Sequence, residues 1–170
     1  GYGVSVECFV STGLTNFDIV GLGDTAVKEA RDRVRAAIKN CGYSFPSGRI
    51  TVNLAPADTK KGGTVYDLPI FLGILSATES IPAPPADAAF FGELSLSGEV
   101  RGVRGILCMC VAARDNGFRE FYAPMENAHE AAAVEGITVY GVKNVRQLVD
   151  HLNGITLISP TPCDKEAFNN

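Results

Sequence analysis

The sequence contains no apolar run long enough to cross a membrane as a helix. A membrane helix needs about 20 mostly apolar residues, and the longest run here, residues 68–77, has the length of a buried helix in a globular protein. Charged residues make up 20% of the chain and apolar residues 46%, as in ordinary globular domains. We therefore expect no contact with a membrane. We predict one domain over residues 1–154, followed by a C-terminal tail or the start of a linker over residues 155–170.

Metal-ligand spacing is also missing. The cysteines are odd in number and scattered: Cys8, Cys41, Cys108, Cys110 and Cys163. The two histidines, His129 and His151, have no companion ligands at a suitable spacing. This pattern argues against a disulfide framework and against a zinc site, and it favours a reducing, cytoplasmic location. We predict no cofactor in this chain.

Motifs that bind nucleoside triphosphates are absent as well. No Gly-x-x-x-x-Gly-Lys-Ser/Thr loop occurs, and residues 60–64 (KKGGT) have the right residue types in the wrong order. The segment from Gly21 to Ala26 (GLGDTA) matches the dinucleotide pattern Gly-x-Gly-x-x-Ala between a predicted strand and a predicted helix. No acidic residue follows at the distance that would hold a ribose, and Asp58 comes too late. The alternative is a tight turn that needs glycine for its backbone freedom.

The formal net charge of −4 argues against nucleic-acid binding through bulk charge, so any such contact needs a local basic patch. The first predicted helix offers one, because four cations recur at spacings of three, four and four: Lys28, Arg31, Arg35 and Lys39. Such spacing aligns side chains on one side of a helix. A stripe of this kind is suited to contact phosphates. The alternative is a solvated face relieved by Glu29 and Asp32.

The pattern of apolar residues predicts alternating strands and helices. Two strands, residues 4–10 and 15–20, are predicted to form a hairpin, and a strand over residues 49–55 follows the first helix. Asp67 is predicted to cap a second helix that is apolar nearly all round and therefore central. Residues 91–105 read as a strand, a Ser-Gly turn and a returning strand. Further helices are predicted at 105–116, 126–134 and 144–152, and further strands at 120–123 and 137–142. The predicted fold class is α/β, with a mixed sheet covered by helices.

The loop before the second helix concentrates polar residues. Its candidate functional residues are Asp58, Lys60, Lys61, Thr64 and Asp67. Lys60 and Lys61 extend the basic patch if the fold brings them near the first helix. A functional loop on a rigid scaffold is one interpretation. The other is structural, with Asp67 as the helix cap and Asp58 paired with a lysine.

Four segments carry a family resemblance: residues 17–38, 49–70, 91–105 and 123–127. The second is the most specific and reads RITVNLAPADTKKGGTVYDLPI. Together they resemble the N-terminal domain of the YifB/ComM-type, magnesium-chelatase-related AAA+ ATPases. The resemblance implies a fold like the Lon peptidase domain and domain 2 of ribosomal protein S5. It also implies a homo-oligomeric, hexameric ring with DNA as a partner in DNA processing and natural transformation. ATP and magnesium would then bind a separate ATPase module, with no catalytic residue in this chain.

Lon-type peptidases need a serine activated by a lysine at the start of the helix after residue 105. Here the matching loop has Thr64 as its only aliphatic hydroxyl, and residues 107–109 are Leu, Cys and Met. The resemblance therefore implies a noncatalytic accessory domain that helps assemble a ring or guides DNA. The alternatives are an oligomerisation or docking module without DNA contact, and a peptidase that uses Thr64.

Overall fold

The computed structural model describes residues 5–13, 16–20, 24–55 and 64–163. Two strands open the fold, and helices and strands follow one another along the rest of the chain. The strands are β1 (Ser5–Ser11), β2 (Asn16–Val20), β3 (Arg49–Ala55), β4 (Ala88–Phe90), β5 (Glu93–Leu94), β6 (Val100–Arg101), β7 (Glu120–Pro124) and β8 (Thr138–Val142). The helices are α1 (Asp24–Asn40), α2 (Asp67–Ala77), α3 (Ile106–Asp115), α4 (Met125–Ala131) and α5 (Val145–Leu152). The predicted α/β class is confirmed, and the strands divide among two sheets and a separate hairpin.

The first sheet has the order β1-β3-β2, with β3 antiparallel to β1 and parallel to β2. The predicted β1–β2 hairpin is therefore wrong, although both strands form. Two strand spacings amount to about 9.6 Å, and a connection of four residues reaches about 13 Å. The chain can therefore step across the place that β3 takes. Ile50 and Val52 of β3 are fully buried, as expected for a central strand.

The second sheet is entirely parallel, in the order β4-β7-β8. Its strand β4 was not predicted, because only three residues follow a proline-rich connector and none of them alternates with a polar residue. The β5–β6 hairpin was predicted, and Glu93 pairs with Arg101 across it.

Alternate side chains of the second sheet enter two different cores. Phe90, Tyr122 and Tyr140 lie in register on one face and stack, with ring centroids 4.5 and 4.7 Å apart. Phe121 points to the opposite face, into a core formed with α3 and α4. A parallel sheet buried on both faces is the usual arrangement, because its crossover helices cover it.

Helix α2 lies at the centre of the larger core, as its composition predicted. Its leucine, isoleucine and phenylalanine residues are at most 2% exposed: Leu68, Ile70, Phe71, Leu72, Ile74 and Leu75. This core includes residues of both sheets, among them Phe17 and Ile50 of the first and Tyr122 of the second. The two sheets therefore share one apolar interior through α2.

The remaining helices follow the prediction with small differences. Helix α4 ends at Ala131, earlier than predicted, and α5 begins with Asn144 as its cap, whose side chain accepts a hydrogen bond from the Gln147 N–H. After α5, Thr161 N–H donates to the Val139 carbonyl of β8. No helix in the described ranges has both the length and the apolarity to span a bilayer.

Candidate functional site

The four cations predicted to form a stripe lie on one uninterrupted helix, α1. Lys28 and Lys39 are exposed, and Arg31 and Arg35 between them are half-buried. Because α1 is continuous across all four, spacings of three and four keep them on one side of the helix. We call Lys28, Arg31, Arg35 and Lys39 the cationic face.

Contacts with the domain hold the two arginines of the cationic face in place. Arg31 Nη1 donates to the Phe17 carbonyl oxygen at 3.0 Å. The Arg35 guanidinium carbon lies 5.1 Å from the centroid of the Phe45 ring, a cation–π contact. A guanidinium has five donors, so neither contact uses its full capacity.

Arg33 pairs with the buried Asp67, a contact that the sequence pattern did not predict. It lies on a different side of α1 and forms a two-point ion pair with Asp67, with Nε to Oδ2 at 2.6 Å and Nη2 to Oδ1 at 3.1 Å. Its contact with Glu29, four residues earlier, is longer at 4.0 Å. The signal available in the sequence was the lone carboxylate of Asp67 before an apolar helix, since a buried charge requires a partner.

Asp67 does not cap α2, so that prediction is wrong. The cap position belongs to Tyr66, which makes no side-chain capping bond, and Asp67 is the first helical residue. Its carboxylate is 1% exposed and also accepts the Leu94 N–H at 3.1 Å. Burial raises the pKa of Asp67, while the hydrogen bonds from Arg33 and Leu94 oppose this rise by favouring the charged form. Asp67 thereby joins α1, α2 and β5.

The rest of the candidate loop is only partly described. Asp58, Lys60 and Lys61 lie outside the described residues, as do Gly21 and the other glycine of the dinucleotide-like motif. Thr64 is half-buried, and its carbonyl oxygen accepts the Asp67 N–H at 3.1 Å.

Helix α3 carries no lysine where a Lon-type peptidase places one. Leu107, Cys108 and Met109 follow the first helical residue, and Gly105 precedes it with a φ of 78°. Cys108 is exposed and Cys110 is buried, so the two thiols point to different sides of α3. Burial raises the pKa of Cys110 to about 11.

The carboxyl edge of the second sheet is covered by other parts of the chain. Ligands of parallel sheets usually bind in a crevice at this edge. Here Glu126 Oε1 accepts the Gly102 N–H at 2.5 Å, and Asn127 Oδ1 accepts the Val103 N–H at 2.8 Å. The side chains of Glu126 and Asn127 are therefore hydrogen-bonded to the backbone that follows β6 instead of facing a ligand at this edge.

The cysteines, histidines and carboxylates are dispersed. In the described part of the chain, no three of them lie close enough together to hold a metal ion.

Comparison with known proteins identifies the family of the chain. Residues 6–127 match the family model of subunit ChlI of Mg-chelatase. The chain is 41% identical to the competence protein ComM of Haemophilus influenzae over 89% of its length, and 44% identical to the uncharacterized protein YifB of Escherichia coli over 78%. It is 24% identical to Lon protease 2 of Bacillus subtilis over 93% of its length.

The chain spans between 26% and 31% of the length of these ComM, YifB and Lon relatives and of the mycobacterial relatives, which are 43% identical. The family match covers more than two thirds of the chain. The chain therefore belongs to the family of the Mg-chelatase subunit ChlI, together with ComM and YifB.

Proposed function

We propose that this chain is a noncatalytic accessory domain of a magnesium-chelatase-related ATPase, and that its cationic face contacts nucleic-acid phosphates. The observation that carries the proposal is the cationic face itself. Four cations lie on one side of α1. Glu29 lies beside Arg33 on a different side of the helix, whereas Asp32, four residues after Lys28, lies on the same side as the cations. Phosphate contacts of this kind supply affinity without sequence preference.

The noncatalytic part of the proposal is supported by the residues at the positions that match the catalytic lysine of Lon-type peptidases. Residues 107–109 are Leu, Cys and Met rather than lysine, and a free threonine hydroxyl such as that of Thr64 is a weak nucleophile. ATP and magnesium are assigned to a part of the protein beyond these 170 residues. The proposal includes a homo-oligomeric ring in the cytoplasm that acts on DNA, with this domain assisting assembly or guiding the DNA.

The test is a fluorescence anisotropy titration with single- and double-stranded DNA at low and physiological salt. The main variant is Lys28→Glu/Lys39→Glu, because both side chains are exposed and their replacement spares the Arg31 and Arg35 contacts. We expect binding that weakens as salt rises, with a loss of affinity of about tenfold or more in the variant at low salt. Arg31→Glu/Arg35→Glu should weaken binding in the same way.

A matched control is Arg119→Glu/Arg146→Glu. Both residues are exposed and lie outside α1, and two reversals alter the net charge by the same four units. The control should bind DNA nearly as well as the parent protein. Equal losses in the control and in the α1 variants would reduce the effect to net charge and contradict the proposal. No binding even at low salt would also contradict it, and a stable ring in light scattering would then favour a pure oligomerisation module.

A further inference from the structure

After α5 the N–H groups of residues 154–156 bond back to carbonyls of α5, and the backbone beyond them is tied to the domain by two further hydrogen bonds. The side chain of Ile158 also packs against the larger core. We call residues 154–163 the C-terminal strap. The Ile158 N–H donates to Nδ1 of His151 at 2.9 Å. The Thr161 N–H donates to the Val139 carbonyl oxygen on β8 at 2.7 Å. One bond therefore depends on an ionisable side chain, and the other occupies a carbonyl of β8.

These contacts define the protonation state of His151 in the closed strap. A ring nitrogen that accepts a hydrogen bond carries no proton, so the proton of the neutral imidazole is on Nε2. Nε2 lies 2.9 Å from the Tyr122 hydroxyl oxygen, and that hydroxyl lies 3.1 Å from Glu120 Oε2. The chain of donors runs from His151 through Tyr122 to Glu120.

We propose that His151 is a proton-sensitive latch that holds the C-terminal strap closed only while its imidazole is neutral. An imidazolium ion has donors on both ring nitrogens. Its Nδ1–H would face the Ile158 N–H, donor against donor, and the Ile158 amide would lose its acceptor. The closed strap is stable at higher pH and opens as the pH falls through the range in which histidine gains its proton. Opening also frees the Val139 carbonyl on β8. Because β8 is the edge strand of its sheet, this carbonyl is then available to pair with another chain.

The other titratable groups around the ring do not replace the lost acceptor. Glu120 lies beyond Tyr122, the Tyr140 ring centroid lies 5.5 Å from that of the imidazole, and Asp150 precedes His151 on α5. Burial raises the pKa of Tyr122, whose neighbours include Asp87, and the pKa of Tyr140 as well, so both phenols stay neutral. The imidazolium still has no lone pair for Ile158.

The proposal is tested by NMR on the 170-residue protein between pH 5 and 8.5. The ring signals of His151 report its charge, and the exposed His129 is the internal reference. Amide hydrogen exchange reports the strap. We expect the protection factors of Ile158 and Thr161 to fall together, by up to about tenfold per pH unit, from the pH at which histidine ordinarily begins to gain its proton down to the pH at which the strap is mostly open. The buried Val52 amide should keep its protection. Unchanged protection of Ile158 while the His151 ring titrates would overturn the proposal.

Two variants separate the latch from a general loosening of the domain. His151→Asn places an acceptor that does not titrate near the position of Nδ1, and we expect a strap that stays closed at all of these pH values. His151→Gln extends its amide toward Tyr122 and leaves Ile158 without an acceptor, so its strap should be open throughout. Protection of Ile158 in His151→Gln equal to that in the parent protein would overturn the proposal.

Discussion

At the scale of single residues, the ion pair between Arg33 and Asp67 is the most consequential contact. Asp67 is almost fully buried, and the side chain of Arg33 keeps 19% of its exposure. In such a pair the attraction largely offsets the cost of taking both charges out of water, so the net stabilisation is small. Loss of one partner is strongly destabilising, because the other charge then stays buried without a counter-ion. The pair specifies where α1, α2 and β5 meet.

Asp67→Asn should lower the free energy of unfolding by about 3 kcal/mol, because the Arg33 charge would remain half-buried without its counter-ion. Urea denaturation followed by circular dichroism measures this difference. Glu29→Gln is the matched control, since Glu29 is 63% exposed and 4.0 Å from Arg33, and it should cost less than about 0.5 kcal/mol. Similar losses in the two variants would show that burial of the pair does not control stability.

The compensated variant Arg33→Met/Asp67→Leu removes both charges together. It should recover most of the loss, because apolar replacements of buried pairs are often neutral. A double variant as unstable as Asp67→Asn would mean that the pair also supplies specific geometry, including the bond to Leu94.

At the scale of secondary-structure elements, α2 approaches β1 closely at a glycine. Gly73 faces Cys8, and an added Cβ at Gly73 would overlap the Cys8 sulfur. A glycine inside a helix costs about 1 kcal/mol relative to alanine. Glycine at position 73 therefore lowers the intrinsic stability of α2 but allows the helix to pack closely against β1.

Gly73→Ala should destabilise the protein, because overpacking of a core costs about 1–3 kcal/mol and exceeds the gain in helix propensity. Thermal unfolding should show a lower Tm than that of the parent protein. Cys8→Ala/Gly73→Ala should recover part of the loss, since the double variant removes the overlapping sulfur. A Tm for Gly73→Ala above that of the parent would show that helix propensity outweighs this contact.

The elements also show where sequence patterns succeed. Helix α2 was predicted to be central, because a helix that is apolar on all sides can only be buried. The prediction of a β1–β2 hairpin was wrong. Two strands close in sequence often pair, but their sequences do not show that a later strand will lie between them. Here β3, which follows α1 in the chain, pairs with both.

At the scale of the whole molecule, the two sheets share a core, so they should unfold together. Cys8 reports the interface of β1 and α2, and Cys110 reports the second core under α3 and α4. Burial raises the pKa of the Cys8 thiol to about 12 and that of Cys110 to about 11. Thiolate is the reactive form, so at pH 8 both should resist alkylation in the native protein.

Pulsed alkylation across a urea series, resolved by peptide mass spectrometry, compares the two thiols directly. The exposed Cys108 and Cys163 are blocked first under native conditions. We expect Cys8 and Cys110 to become reactive with the same urea midpoint, as two-state unfolding requires. A lower midpoint for Cys8 alone would show that the first sheet opens independently of the second.

The sequence by itself determined the α/β class, nearly all of the helices and strands, the central place of α2 and the alignment of four cations on α1. All of these follow from the local periodicity of apolar and charged side chains, which is a property of neighbouring residues. Only the tertiary structure decided the position of β3 between β1 and β2, the pairing of Arg33 with Asp67 and the contact of His151 with the C-terminal strap. Each of these joins groups that are distant in sequence or on separate elements, and their distances depend on how the helices pack on the sheets.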